Sequence, residues 1–325
     1  MNKLLNNNQA IVSPKPTNLE GKVAIVIVSY NSSQDLRTLF SSIDTLSHQN
    51  FKIFLVDNCS SVEEQEQLKE FEARKDLFLI RNVENAGFAA GNNLGMRKAL
   101  VWQPDFIWLL NADTVVEPEA LSSLLSVAGK NPQVDCWGNL VCSGMPRENA
   151  TVWCRGGEID LAQQEVAMRS YGESYNPAAE PSNPEVCDYI PGCSMFFRPE
   201  LIEKVGFMPE DYFMYFEETD WCAEMNKKGL TLAVDPNAVV WHATDDSKTA
   251  SVFHTYYYNR NQLKFWFRQS SLGGRLSLVL DSAFKKLPRA LKAFYSASSF
   301  SEKEIFKAHA RANLDFLLCR GGRRI

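Results

Sequence analysis

The stretch VAIVIVSYNSSQDLRTLFSSIDTL (23–46) decides the fold. Its first eight residues are mostly β-branched and apolar without alternation, as expected of a strand buried on both faces. Leu36, Leu39, Phe40, Ile43 and Leu46 then recur at helical spacing. The unit repeats. FKIFLV (51–56) ends at Asp57, a charged helical stretch runs from Glu63 to Arg74, and LFLIRN (77–82) is a third strand. A helix follows the glycines of 87–95, and DFIWLL (105–110) is a fourth strand ending at Asn111. This alternation predicts an α/β fold with a mostly parallel, doubly wound sheet. Ligands of such sheets sit beyond the carboxyl ends of the strands. Ser29, Asn31, Asp57, Asn58, Asn85, Asn111 and Asp113 all fall there.

The second half is less regular. Residues 145–185 are rich in Pro, Gly and Glu and read as loops and a hairpin; IPGCSMFFR (190–198) reads as a strand and 199–205 as a short helix opened by Pro199. A helix over 217–228 stops at Gly229, and 230–234 and 238–241 are short segments that extend the sheet. With 45% hydrophobic and 22% charged residues, the 325-residue chain can build one large domain with or without an appendage. No run approaches the roughly 18 apolar residues of a membrane span. The first 22 residues form a polar lead-in without the apolar core of a signal peptide, so cytoplasmic residence is expected. The eight cysteines stand singly, without CxxC spacing, and read as reduced core residues.

The net charge of −5 hides an asymmetry. From Asn259 onward fourteen basic residues face four acidic ones, a net of +10, which leaves −15 on the remainder. That tail contains LSLVLDSAFKKLPRALKAF, amphipathic at helical spacing and expected to break or kink near Pro288. A basic tail on an acidic body suggests contact with the anionic inner face of a membrane, a helical pair packed on the catalytic domain, or a homodimer contact. No nucleic-acid partner is expected.

Four constellations can carry chemistry. Asp113, with Asn111 two residues before it at a strand end, can hold Mg²⁺ or Mn²⁺ against a diphosphate, or the pair can simply cap a turn. NAGFAAGNNLG (85–95) offers a backbone that a ligand can approach closely, or a tight helix–strand contact; it matches neither GxGxxG nor a phosphate loop. In DYFMYFEETDWCAEM (211–225), four acids lie among aromatics. An apolar setting raises a carboxyl's pKa and makes it a usable general base, although acids also suit a helix's first turn. His242, after the strand AVVW, is a ligand or a satisfied rim residue. YYYNRNQLKFWF (256–267) is an acceptor or diphosphate platform or a packed helix.

The order of these motifs resembles the family 2 glycosyltransferases, in particular their rhamnosyltransferase-like branch. VIVSYNS (26–32), VDNCS (56–60), NAGFAAGNNLG, LLNADT (109–114), GCSMFFR (192–198), FMYFEETDWCAEMNKKG (213–229), VWH (240–242) and YYYNRN (256–261) carry it over roughly residues 23–268. The resemblance implies the GT-A fold, with a nucleotide-binding half at 23–115, an acceptor half at 116–268, and a C-terminal helical region at 269–325. It implies that Val28, Ser29, Tyr30 and Asn31 line a nucleobase with Asp57. Asn85, Gly87, Phe88, Gly91 and Asn92 would lie along ribose and diphosphate. Asn111 and Asp113 occupy the DxD position, and His242 would complete a metal site with Asp113. Glu217 and Glu218 occupy the acidic pair that supplies the base, and the second is favoured here. The chain departs from the family in reading NAD for DxD and Glu-Glu for a pair usually containing Asp. Gly192, Cys193, Tyr212, Trp241 and Arg260 are the acceptor-side candidates.

The implied activity is inverting transfer of a sugar, with rhamnose the first expectation. The donor would be a dTDP- or UDP-sugar and the acceptor a hydroxyl of a glycan or lipid-linked molecule in bacterial surface polysaccharide synthesis. Two rivals remain. A sugar-nucleotide pyrophosphorylase would want a basic, Gly-rich loop where this chain has SYNSSQD. A non-catalytic sugar-nucleotide-binding module would need the pocket but no base.

Overall fold

A computed structural model describes residues 21–146, 150–178, 183–243 and 251–325; the lead-in expected over 1–22 lies outside these except for its last two residues. The first half alternates as expected: β1 (Val23–Ser29), α1 (Ser33–Ile43), β2 (Phe51–Asp57), α2 (Val62–Leu68), β3 (Leu77–Arg81), α3 (Phe88–Val101) and β4 (Phe106–Asn111). Successive residues of β1 point to opposite faces. Val23, Ile25 and Ile27 pack with α1, while Ala24 and Val26 pack with Met96 and Ala99 of α3. Both faces are therefore apolar, which is why this strand shows no alternation. Gly91 and Gly95 lie within α3 rather than ahead of it. A Cβ on either would come within 2.7 or 2.4 Å of Val28 or Val26, so both glycines let the helix seat directly on β1.

The second half adds β5 (Thr114–Val116), α4 (Ala120–Lys130), β6 (Cys136–Ser143), β7 (Val152–Cys154), β8 (Gly157–Asp160), β9 (Glu165–Met168), β10 (Glu185–Cys187), β11 (Ser194–Phe197), α5 (Glu200–Val205), α6 (Glu217–Lys227) and β12 (Leu232–His242). The main sheet runs β10-β12-β6-β11-β4-β1-β2-β3, with β5 on β12 and β7 on β6. Pairing is parallel through β4-β1-β2-β3 and between β6 and β12. The antiparallel β11 joins these two parallel blocks, and β8 and β9 form a separate hairpin.

Three elements differ from the sequence reading. The strand expected over 190–198 shortens to β11, because Pro191 to Cys193 turn out of the ladder and the Cys193 carbonyl accepts from Asn111 N at 3.0 Å. The two short segments after Gly229 are one strand, β12, with a bulge between Asp235 and Val239 where Pro236 cannot donate to a ladder. The basic tail forms α7 (Val252–Gln269), α8 (Leu272–Asp281), α9 (Leu287–Ser296) and α10 (Phe300–Leu317). Between α8 and α9 the helix widens into a π turn, Ser282–Lys286, just ahead of Pro288, instead of breaking there. All eight cysteines are free thiols, six of them buried.

Candidate active site

The carboxyl ends of β1, β2 and β4 and the start of α3 form one wall. Asp57 closes β2 fully buried. Its Oδ1 accepts from Ser60 N at 2.9 Å, and its Oδ2 has no partner among the described residues. A buried carboxylate oxygen left open is costly unless a ligand supplies the donor. Val28 lies beneath Gly91, the Ser29 and Ser32 hydroxyls share a hydrogen bond of 2.9 Å, and Tyr30 is exposed. Asn31 takes a left-handed conformation (φ 53°) and accepts from Ser61 N at 2.8 Å. Asn58 ties the wall together. Its Nδ2 donates to Asn85 Oδ1 at 3.1 Å and to the Gly87 carbonyl at 3.0 Å, and its Oδ1 accepts from Asn82 at 3.1 Å. Asn92 is buried and turned into its own helix, donating to the Phe88 carbonyl at 3.0 Å.

The β12–β5 ladder brings residues 128 positions apart to the end of β4, pairing His242 with Thr114. His242 Nε2 lies 3.2 Å from Asp113 Oδ1 and 3.4 Å from Asn111 Nδ2. An oxygen and an imidazole nitrogen thus converge, with Asp113 partly open to solvent. Among the described residues no group of three or more such side chains gathers anywhere. A cation here would take its remaining ligands from diphosphate and water, as suits a divalent ion, and the imidazole favours Mn²⁺ over Mg²⁺.

The opposite wall is the start of α6. Three residues ahead of it adopt left-handed backbone: Phe213 (φ 73°), Tyr215 (φ 68°) and Phe216 (φ 72°). Such a conformation is unusual for bulky residues and persists only where the surroundings enforce it. The enforcement comes from α7. Asn261 Nδ2 lies within 3.0, 2.6 and 3.0 Å of the carbonyls of Tyr212, Met214 and Tyr215. Arg260, itself buried, donates to Asn261 Oδ1 at 2.8 Å, to the Tyr212 carbonyl and to the Gly322 carbonyl. Phe88 N donates to the Phe213 carbonyl at 2.8 Å. Gly87 (φ +91°) makes that approach possible, since a Cβ there would sit 2.2 Å from the same carbonyl oxygen.

This loop delivers Glu217 and Glu218 to the first turn of α6, where the helix dipole tolerates negative charge. Glu217 is buried and its Oε2 has no partner among the described residues. Burial first, and the neighbouring Glu218 second, push its pKa well above the ordinary carboxylate range. Glu218 is also raised by burial, but it accepts from Tyr189 Oη at 3.0 Å and Thr219 Oγ1 at 3.3 Å, which oppose the rise. The two acids therefore differ. Glu218 has two side-chain hydroxyl partners that favour its charged form, and Glu217 Oε2 has none among the described residues.

A cavity of about 330 Å³ joins the walls; Asn111, His242, Gly192, Cys193, Glu217 and Glu218 line it, with Phe88, Trp153, Tyr215, Phe216 and Tyr258 forming its aromatic sides. Gly192 has no side chain where Phe88 and Glu218 approach: a Cβ would lie 3.1 and 3.2 Å from them. Three acceptor-side candidates are not among the cavity's lining residues. Arg260 and Tyr212 lie beneath the loop, and Trp241 is buried with its Nε1 on Glu117 at 2.7 Å. Sequence reasoning missed Tyr189 and Asn261. An isolated Tyr ahead of PGC carries no signal, and Asn261 is visible only as part of YYYNRN, a platform or a packed helix, with nothing to show its three carbonyl partners.

A model of the glycosyl transferase family 2 matches residues 24–206, and the chain belongs to that family. Its sheet order and flanking helices are those of the GT-A fold. The low-salt glycan biosynthesis hexosyltransferase Agl10 of Haloferax volcanii is 24% identical over 246 residues, covering 74% of each chain. The dTDP-rhamnosyl transferase RfbF of Shigella flexneri is 22% identical, over 70% of this chain and 71% of its own. Among solved structures, GalNAc-T7 with UDP, GalNAc and Mn²⁺ superposes with a TM-score of 0.60 at 15% identity. That match covers 91% of this chain and 56% of the longer GalNAc-T7 chain. The protein is a glycosyltransferase that uses a nucleotide-sugar donor.

Proposed function

We propose inverting transfer of a sugar, rhamnose first among candidates, from a dTDP- or UDP-sugar to a hydroxyl of a glycan or lipid-linked acceptor in surface polysaccharide synthesis. The observation that carries this reading is the placement of an ionisable carboxylate, Glu218, across one cavity from the Asn111–His242 edge. In this reading residues 23–115 hold the donor and 116–268 the acceptor. Asp57 Oδ2, buried and open, accepts the N3–H of a pyrimidine. The Asn58-braced turn at Asn85–Gly87 fixes the backbone along ribose and diphosphate. Asp113 and His242 would hold a divalent cation, which when bound offsets charge on the leaving diphosphate.

Glu218 takes the proton of the acceptor hydroxyl. The freed oxygen attacks the anomeric carbon from the side opposite the diphosphate, a C–O bond forms as the bond to the diphosphate oxygen breaks, and the centre inverts. Tyr189 and Thr219 orient the carboxylate, and the burial of Glu217 disfavours a second negative charge beside it. Apolar walls exclude water from the attacking position, which limits hydrolysis of the donor. Incubation with a panel of dTDP- and UDP-sugars and Mn²⁺, read by mass spectrometry and by anomeric NMR of the product, tests the reading. Retention of configuration in the product would overturn the single-displacement mechanism.

A further inference from the structure

Six large apolar side chains of α8, the π turn and α9, Leu272, Leu276, Leu280, Phe284, Leu291 and Tyr295, are between 43% and 84% exposed. Single exposed leucines are ordinary, but a continuous row of them is not. On a regular α-helix, positions four apart advance by about 40° around the axis, so a row this long would spiral away from itself. The π turn at Ser282–Lys286 winds fewer degrees per residue and sets Leu291 and Tyr295 back in line with the residues from Leu272 to Phe284. The opposite face of the same helices is docked: Leu278 and Ala290 are buried, and Ser282 bonds Asn313 of α10 at 2.9 Å. The row therefore faces outward from a fixed support.

Its border is cationic. Lys285, Lys286, Arg289 and Lys292 are exposed, and Asp281 is the sole acid between residues 272 and 299. Arg289 and Lys292 have no acidic partner among the described residues. The row also meets a hairpin that contributes to the active site. Leu280 and Phe284 share a cleft with Gln164 at the tip of the β8–β9 hairpin, while Val166 and Met168 of that hairpin line the catalytic cavity.

We infer that this row is a docking surface for an anionic lipid bilayer, entered by the apolar side chains to the depth of the headgroups and held by the flanking cations. No helix among the described residues is long and apolar enough to cross a membrane, so the contact is a lying-on rather than a spanning one. A second copy of the chain would bring an equally positive border against this one, whereas anionic headgroups match it. A membrane-borne acceptor would then meet the cavity past the hairpin. That last step rests on the proposed transfer; the docking itself does not, and it is measured without substrate.

The test is co-sedimentation of the full chain with phosphatidylcholine vesicles that contain or lack phosphatidylglycerol, at low and at raised salt. Binding is expected to the anionic vesicles alone, weakening at least about tenfold at raised salt as the cations are screened. Leu276→Glu/Phe284→Glu, on exposed positions, is expected to abolish binding with circular dichroism unchanged, and Arg289→Ser/Lys292→Ser to weaken it severalfold. No binding of the wild type to anionic vesicles, or binding unaltered by both double variants, would overturn the inference. So would sedimentation equilibrium showing a dimer that Leu276→Glu/Phe284→Glu dissolves, since the row would then be a self-association face.

Discussion

The two walls of the cavity are built by different means. On the donor side, the side-chain bonds that brace the loops join residues closer in sequence: Asn58 to Asn85 and Gly87, and Asn31 to Ser60 and Ser61, all within 30 positions. On the base side, the loop before Glu217 is held from α7, 46 to 49 positions away, and Arg260 is braced in turn by Gly322. The donor wall follows from its own strand ends. The base wall exists because later parts of the chain hold an unfavourable backbone in place. Donor binding and turnover should therefore separate under mutation.

The largest separation is expected at Glu218. Glu218→Gln removes the proton acceptor while keeping shape, and kcat should fall by about 10²–10⁴ with donor affinity, read by calorimetry, unchanged. If Glu217→Gln is the inactive variant instead, the roles of the pair are exchanged. Asp113→Ala should cut Mn²⁺ affinity in the presence of nucleoside diphosphate by at least about tenfold to a hundredfold, read from the EPR signal of free Mn²⁺. Unchanged Mn²⁺ binding would remove Asp113 and the chelation reading together.

Asn261→Ala touches nothing in the cavity, yet it strips buried donors from three carbonyls, a loss of about 1–3 kcal/mol. A melting temperature lowered to match, kcat reduced by up to about a hundredfold and donor affinity intact would mark Asn261 as a positioning residue, taking a misplacement of the base of about 1 Å as the benchmark. A parallel loss of donor affinity would show that the walls are not independent. The smallest effect concerns stability. Glu217 holds its proton more tightly folded than unfolded, so its contribution is greatest in acid and is lost as pH rises from the unfolded value, about 4.3, through its raised folded value. Glu217→Gln should therefore raise the melting temperature near neutral pH and make no difference in acid, as followed by calorimetry across pH.

The contrast also explains what the sequence could disclose. The first four strands announce themselves because apolar runs of strand length are written locally, with β1, β2 and β4 buried and β3 at the sheet edge, and their ends place Asp57, Asn111 and Asp113 without reference to anything distant. The acidic pair is visible through its aromatic neighbours. Its asymmetry is not, because Tyr189 and the burial of Glu217 come from packing across the sheet. Arg260 shows the same limit in reverse: in YYYNRN it reads as an acceptor platform, and in the fold its guanidinium is consumed by two backbone carbonyls and Asn261. His242 gains its meaning only from pairing with Thr114, 128 positions earlier.

The brace from Gly322 to Arg260 also sets the order in which competence is acquired during synthesis. Chain growth is slow relative to the closing of local contacts, and segments fold as they emerge. The donor wall can form once residue 111 has cleared the ribosome, whereas the base loop waits for α7 and for the segment around Gly322. The strand ends proposed to hold the nucleobase and ribose are thus in place before the acidic pair proposed to supply the base.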